Sequence, residues 1–116
     1  MLKSQATCDF DWQQLNQLAG EDADFEAELL AIFLQDAESS LGEIENAIAA
    51  KDILAIEEAA HSLRGASANV GAKALAAVAG QLEQVARSGK MTGARTLLKQ
   101  LTRHCRNVQT QFQAKR

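Results

Sequence analysis

Not one proline interrupts this chain of 116 residues. Inside a helix a proline loses a hydrogen bond and clashes with the preceding turn, at a cost of about 3 kcal/mol. Its absence therefore leaves every segment free to be helical. The residues that are present push the same way. Ala, Leu, Glu and Gln are abundant, tyrosine is missing and aromatic residues make up 4%. The side chains that fit strands are scarce. Where each helix starts and stops is then decided by glycines and by short polar capping residues.

Those signals divide the chain into five helical segments. The first is short, from about Asp11 to Leu18, with Gly20 behind it. The second opens near Asp22 or Asp24 and runs to about Ala50, with Leu30, Phe33, Leu34, Ala37, Leu41, Ile44 and Ile48 at helical spacing. Asp52 caps a third helix, Ile53 to Val70, which Gly71 ends. The fourth begins near Ala72, carries Leu75, Val78, Leu82 and Val85 on one face and stops at Gly89. Thr92 is the expected cap of the fifth, whose stripe is Ala94, Leu97, Leu98, Leu101, Cys105, Val108 and Phe112, with a frayed tail over residues 113–116.

Four amphipathic helices joined by short links pack as sequential neighbours. The expected fold is all-α, an antiparallel four-helix bundle over about 22–113 with an additional short N-terminal helix across one end. The whole of 1–116 reads as one domain, since no repeat, low-complexity tract or long linker divides it.

Several functions fall away on composition. A net charge of -3 and a pI of about 5.3 give no one-sided basic footprint for nucleic acid. No apolar run could span a bilayer, and Met1-Leu2-Lys3-Ser4-Gln5-Ala6 has no signal-peptide core. Cys8 and Cys105 are far apart and lack redox or metal-ligand spacing. The expectation is a cytoplasmic protein with both thiols reduced, monomeric, and free-standing on the strength of its starting methionine.

The third helix carries the chemistry. At about 100° per residue, Ile56, Ala59, Ala60, Leu63, Ser67 and Val70 fall within about 60° of one another and face the core. His61 lies roughly 140° and Gly65 roughly 180° from Ile56, so both look outward, one turn apart. Ala68 continues that strip and Leu54 precedes it. A mid-helix glycine costs about 1 kcal/mol relative to alanine, and here no internal packing asks for one. Close approach of an outside body to the backbone beside His61 is a physical reason for it. A surface histidine is otherwise usually just that, and a lone glycine can be drift.

The local string alters that balance. Ala60-His61-Ser62-Leu63-Arg64-Gly65-Ala66-Ser67-Ala68-Asn69-Val70-Gly71-Ala72 resembles the signature A-H-x-L-K/R-G-x-S-x-x-x-G-A of histidine phosphotransfer (HPt) domains. The resemblance implies that His61 accepts a phosphoryl group on Nε2, that Arg64 replaces the family's basic residue and helps balance phosphoryl charge, and that Gly65 leaves room for a partner's loops. A neutral imidazole is a competent nucleophile near neutral pH. Ser67, on the inner side, reads as a structural hydrogen-bonding residue. Where some members place a glutamine against the histidine, this chain has Glu83, which could accept from Nδ1–H and fix the tautomer. Glu57, one turn before His61, is a competitor for that role, and a solvated acidic face is the plain alternative for both.

The chain has no Gly-rich nucleotide loop and no paired acids for Mg²⁺, so neither nucleotide binding nor autophosphorylation is expected. No cofactor or metal is expected on this chain. The resemblance implies a response-regulator receiver domain as partner, supplying the aspartate and Mg²⁺, with a hybrid sensor histidine kinase as a further candidate. The docking patch expected is Leu54, Glu57 and Ala68, extended on the second helix by Leu29 and Ile32. The same apolar face includes Phe25, which the first helix, with Phe10, Trp12 and Leu15, is expected to cover.

His104 sits at the core boundary of the fifth helix and reads as a partly buried structural histidine. The leading reading is a phosphocarrier in a multistep His–Asp relay, not an enzyme. A helical adaptor that only docks is the alternative. A metal site on Glu57 and His61 lacks further ligands, because His104 and Cys105 are adjacent and point to different sides.

Overall fold

The computed structural model describes residues 10–115. Cys8 and the segment 1–6 lie outside the described residues, as does Arg116. Among the described residues five helices follow in order: α1 (Trp12–Leu18), α2 (Ala23–Ala50), α3 (Ile53–Val70), α4 (Lys73–Arg87) and α5 (Ala94–Lys115).

Aspartates start the first three. Asp11 accepts from the Gln14 amide, Asp22 from the amides of Asp24 and Phe25, and Asp52 from that of Ala55. Each bond satisfies an amide that the first helical turn leaves open, typically worth about 1 kcal/mol. The fifth helix departs from expectation. Gly93 immediately precedes Ala94, and its carbonyl accepts from Leu97, so Thr92 stands one residue too far out to be the cap. At the other end α5 continues through Lys115.

The linkers Lys51–Asp52 and Gly71–Ala72 are too short to let consecutive helices separate. Contacts run α2 to α3, α3 to α4, α4 to α5 and α5 back to α2, with α1 laid against α2 and α3. The result is a four-helix bundle whose long axis of 42 Å is the length of the 28-residue α2 at about 1.5 Å per residue. Leu15, Leu30, Ile44, Ile56, Leu63, Leu75, Leu82 and Leu101 are fully buried at its centre. No helix among the described residues is long and apolar enough to cross a membrane.

Gly71 fixes how α1 docks. Its φ of +93° ends α3 in the left-handed region. A Cβ there would lie 2.7 Å from the Asp11 carbonyl oxygen. The Asp11 amide also donates to the Gly71 carbonyl at 2.7 Å, and Phe10 bridges Ala72 antiparallel. The start of α1 is thereby tied to the α3–α4 corner.

That anchoring corrects the reading of the second apolar face. Trp12 packs against Phe10, with ring centroids 4.4 Å apart and planes tilted by 40°, and shares a cleft with Ala27, Leu30 and Phe112. Phe25 is left 45% exposed. Leu29, in contrast, is half-buried and packs on the core. Ser67 also differs: it is fully buried, yet its hydroxyl has no hydrogen-bond partner among the described residues. Cys105 is a free, buried thiol; burial, with Glu38 nearby, pushes its pKa up.

Candidate functional site

Residues from α3 and α4 alone line the shallow hollow that holds His61: Leu54, Glu57, Glu58, His61, Ser62, Glu83 and Arg87. The inner stripe of α3 is buried as its period requires, at Ile56, Ala59, Ala60, Leu63, Ser67 and Val70. His61 is thus directed outward, and 64% of its side chain is open to solvent. Leu54 is 63% exposed beside it.

Beneath the imidazole lies Glu83. It is one of two buried polar residues in the described core, at 3% exposure, the other being Ser67. A carboxylate taken out of water must be paired and hydrogen-bonded. Glu83 Oε1 accepts from Arg64 Nε at 2.6 Å, and Oε2 accepts from Arg87 Nη2 at 2.7 Å. His61 Nδ1 is 2.8 Å from the same Oε2. The hydrogen bond from Arg64 does most to lower the Glu83 pKa; burial opposes it and the His61 bond adds to the lowering.

An ionised carboxylate only accepts, so the proton of that short contact belongs to Nδ1. The ring is then the Nδ1–H tautomer, and its Nε2 lone pair faces solvent. Arg64 Nη2 lies 3.3 Å from Nδ1. With Nδ1 protonated this is a contact between two donors and not a hydrogen bond. Both guanidinium groups therefore sit on the Nδ1 side, joined to the carboxylate that holds the ring.

The structure brings His61, Arg64 and Glu83 together. Gly65 is exposed one turn beyond His61, and a Cβ there would meet nothing within 4 Å. Glu57 lies at the hollow but does not hold the imidazole. Its carboxylate accepts from Arg87 Nε at 3.3 Å, so the competition expected between Glu57 and Glu83 for the ring goes to Glu83. Ala68 is exposed further along α3, where its carbonyl accepts from Gln14 Nε2 of α1 at 2.8 Å. Leu29 and Ile32 belong to α2 and lie outside the hollow. Ile32 is 57% exposed, whereas Leu29 is turned into the core.

Two residues escaped the reading of the sequence. Arg87 follows Glu83, the sole acid of α4, by four positions, a spacing that places them on one helix face. That pairing was a usable signal. Gly80 is the other, a glycine in the interior of α4 whose absent side chain is faced by Arg64. His104 lies half-buried near Phe10, Leu75 and Val108, away from the hollow.

A family model described as Hpt domain matches residues 28–111. Among solved structures, the chain is similar to histidine-containing phosphotransfer protein B (HptB) from Pseudomonas aeruginosa PAO1. They share 33% identity over 92% of this chain and 93% of that one, with a TM-score of 0.86. A putative histidine-containing phosphotransfer protein from rice is 22% identical, over 97% and 82% of the two chains, at a TM-score of 0.84. The HPT domain of a sensor hybrid histidine kinase from Shewanella is 18% identical, over 92% and 96%, at 0.72. These last two likenesses concern the fold. No curated protein sequence matches the chain.

Proposed function

This chain belongs to the Hpt domain family, a family of phosphocarriers in two-component phosphorelays, and from that premise we propose that His61 is the residue that carries the phosphoryl group. The observation that carries this assignment is the bond between His61 Nδ1 and the buried Glu83 carboxylate. It leaves an exposed Nε2 with its lone pair free to attack.

In the proposed step, Nε2 attacks the phosphorus of an aspartyl phosphate in a receiver domain. The N–P bond forms as the P–O bond to the aspartate breaks, and the aspartate leaves as a carboxylate. The proton on Nδ1 stays, and the positive charge that develops on the ring is offset by Glu83 directly below. Return to a second receiver aspartate is the reverse. Most of this chemistry is positioning and charge stabilisation. The receiver contributes the aspartate and Mg²⁺, while this chain supplies the nucleophile and its support, with no nucleotide site of its own.

Arg64 keeps Glu83 ionised and Arg87 donates to its Oε2, so both act on the ring through that carboxylate. The open backbone at Gly65, with Leu54 and the exposed part of Ala68, is the proposed seat for the receiver's loops, and Ile32 is a more distant contact. A hybrid sensor histidine kinase is a further partner on this reading, and the working state is a cytoplasmic monomer.

The test is transfer of label from a phosphorylated receiver domain to the wild type and to His61→Gln. Acid-labile, alkali-stable label on the wild type and none on the variant is the expected result. A folded wild type that takes no label from several receivers would support a docking adaptor instead.

A further inference from the structure

Gly80 occupies a place where a glycine has no backbone reason to be. It lies in the interior of α4, between Ala79 and Gln81, and its φ is not in the left-handed region. Such a glycine weakens a helix relative to alanine. It is half-buried, so the missing side chain borders on protein. A Cβ at this position would meet one atom within 4 Å, Cδ of Arg64, at 3.2 Å.

That atom is bonded to Arg64 Nε, which makes the 2.6 Å hydrogen bond to Glu83 Oε1. Gly80 and Glu83 are three residues apart on α4 and therefore share a face. The arginine comes from α3, crosses α4 at the notch left by Gly80 and reaches the carboxylate one turn further on. Its Nη2 ends 3.3 Å from His61 Nδ1. The two glycines near the site thus differ in use: the space at Gly65 opens to the outside, and the space at Gly80 faces an arginine stem.

We propose that Gly80 is a positioning residue for phosphoryl acceptance, its bare α-carbon seating the Arg64 stem so that the guanidinium holds Glu83 under the imidazole. A Cβ would push Cδ outward by a few tenths of an ångström. Nε, one bond further on, would move off Oε1, and Glu83 would lose part of the support that keeps its acceptor fixed on Nδ1–H. The ring would then populate the Nε2–H tautomer, in which the attacking nitrogen has no free lone pair. This inference rests on His61 being the phosphoryl acceptor, but its first readout does not need any transfer to occur.

The experiment is a double-substitution cycle with Gly80→Ala, Arg64→Ala and the pair. It measures the His61 tautomer by imidazole ¹⁵N shifts, the melting temperature, and the initial rate of label uptake from a phosphorylated receiver domain. Gly80→Ala should remain folded, show more Nε2–H tautomer than wild type and take label about tenfold more slowly. In the Arg64→Ala background the same change should leave tautomer and rate where Arg64→Ala alone puts them, since the stem it obstructs is gone. It should also raise the melting temperature more there than in the presence of Arg64.

A wild-type tautomer in Gly80→Ala overturns the proposal, as does an effect of equal size with and without Arg64. Should Gly80→Ala fail to fold alone, its effect in the Arg64→Ala background decides: a folded pair supports the clash, and an unfolded pair contradicts it. Absence of label on the wild type would count against the His61 assignment, while the tautomer comparison would still judge Gly80.

Discussion

The two faces of α3 are built from one run of residues and obey different rules. The inner face, at Ile56, Leu63 and Val70, is apolar and closed, and each side chain is justified by what it touches. The outer face holds an exposed imidazole bonded to a buried carboxylate, and a glycine whose missing side chain would touch nothing. The inner face explains why the helix stays. The outer one is the face on which the proposed partner docks. Substitutions should therefore separate along this line, with stability lost on one side and transfer on the other.

The largest loss of stability belongs to the inner face. Leu63→Ala removes a side chain that is 1% exposed, and should cost about 2–5 kcal/mol in denaturant unfolding. What remains folded should still accept label. A folded Leu63→Ala protein with no acceptance would break the separation.

Glu83 lies where the faces meet, and pH examines it. Its pKa is lowered in the folded state from an ordinary 4.5, so the folded protein favours the ionised form. The stability it contributes is fully present above 4.5 and is lost as pH falls through the lowered folded value. The melting temperature of wild type should fall more steeply in that acid window than that of Glu83→Gln. Parallel curves would mean that Arg64 and His61 do not stabilise the carboxylate.

The smallest effect on stability is expected on the outer face. Gly65→Gln should leave the fold intact and add roughly 0.5–1 kcal/mol from helix propensity. It should slow uptake from a receiver domain while leaving uptake from a small phosphoramidate donor unchanged. Equal slowing with both donors would place the fault in the chemistry of His61 and not in docking.

The same division shows what could be read from residues alone. Asp52 and Gly71 bound α3, and one period between them sorts Ile56, Ala60 and Leu63 from His61 and Gly65. That is geometry within a single helix. Gly80 matters through the way α4 lies across α3, and a projection of either helix contains no information on their mutual rotation, whereas the pairing of Arg87 with Glu83 lies within α4 and was open to such a projection. Glu83 was legible as a candidate through the resemblance to a family, yet its burial was not, since it interrupts an apolar side. Phe25 and Leu29 fail for a related reason. Helical spacing defines an apolar arc, but the part of it that α1 covers is decided by the distant contact of Asp11 with Gly71.

In the proposed carrier Glu83 holds the imidazole by Nδ1 so that Nε2 does the chemistry. Phosphorylating ¹⁵N-histidine-labelled protein from a receiver domain and locating the phosphorus by ³¹P–¹⁵N coupling tests it directly. One phosphorus on Nε2 of His61 is the predicted result. Phosphorus on Nδ1, or on His104, would contradict this role of Glu83.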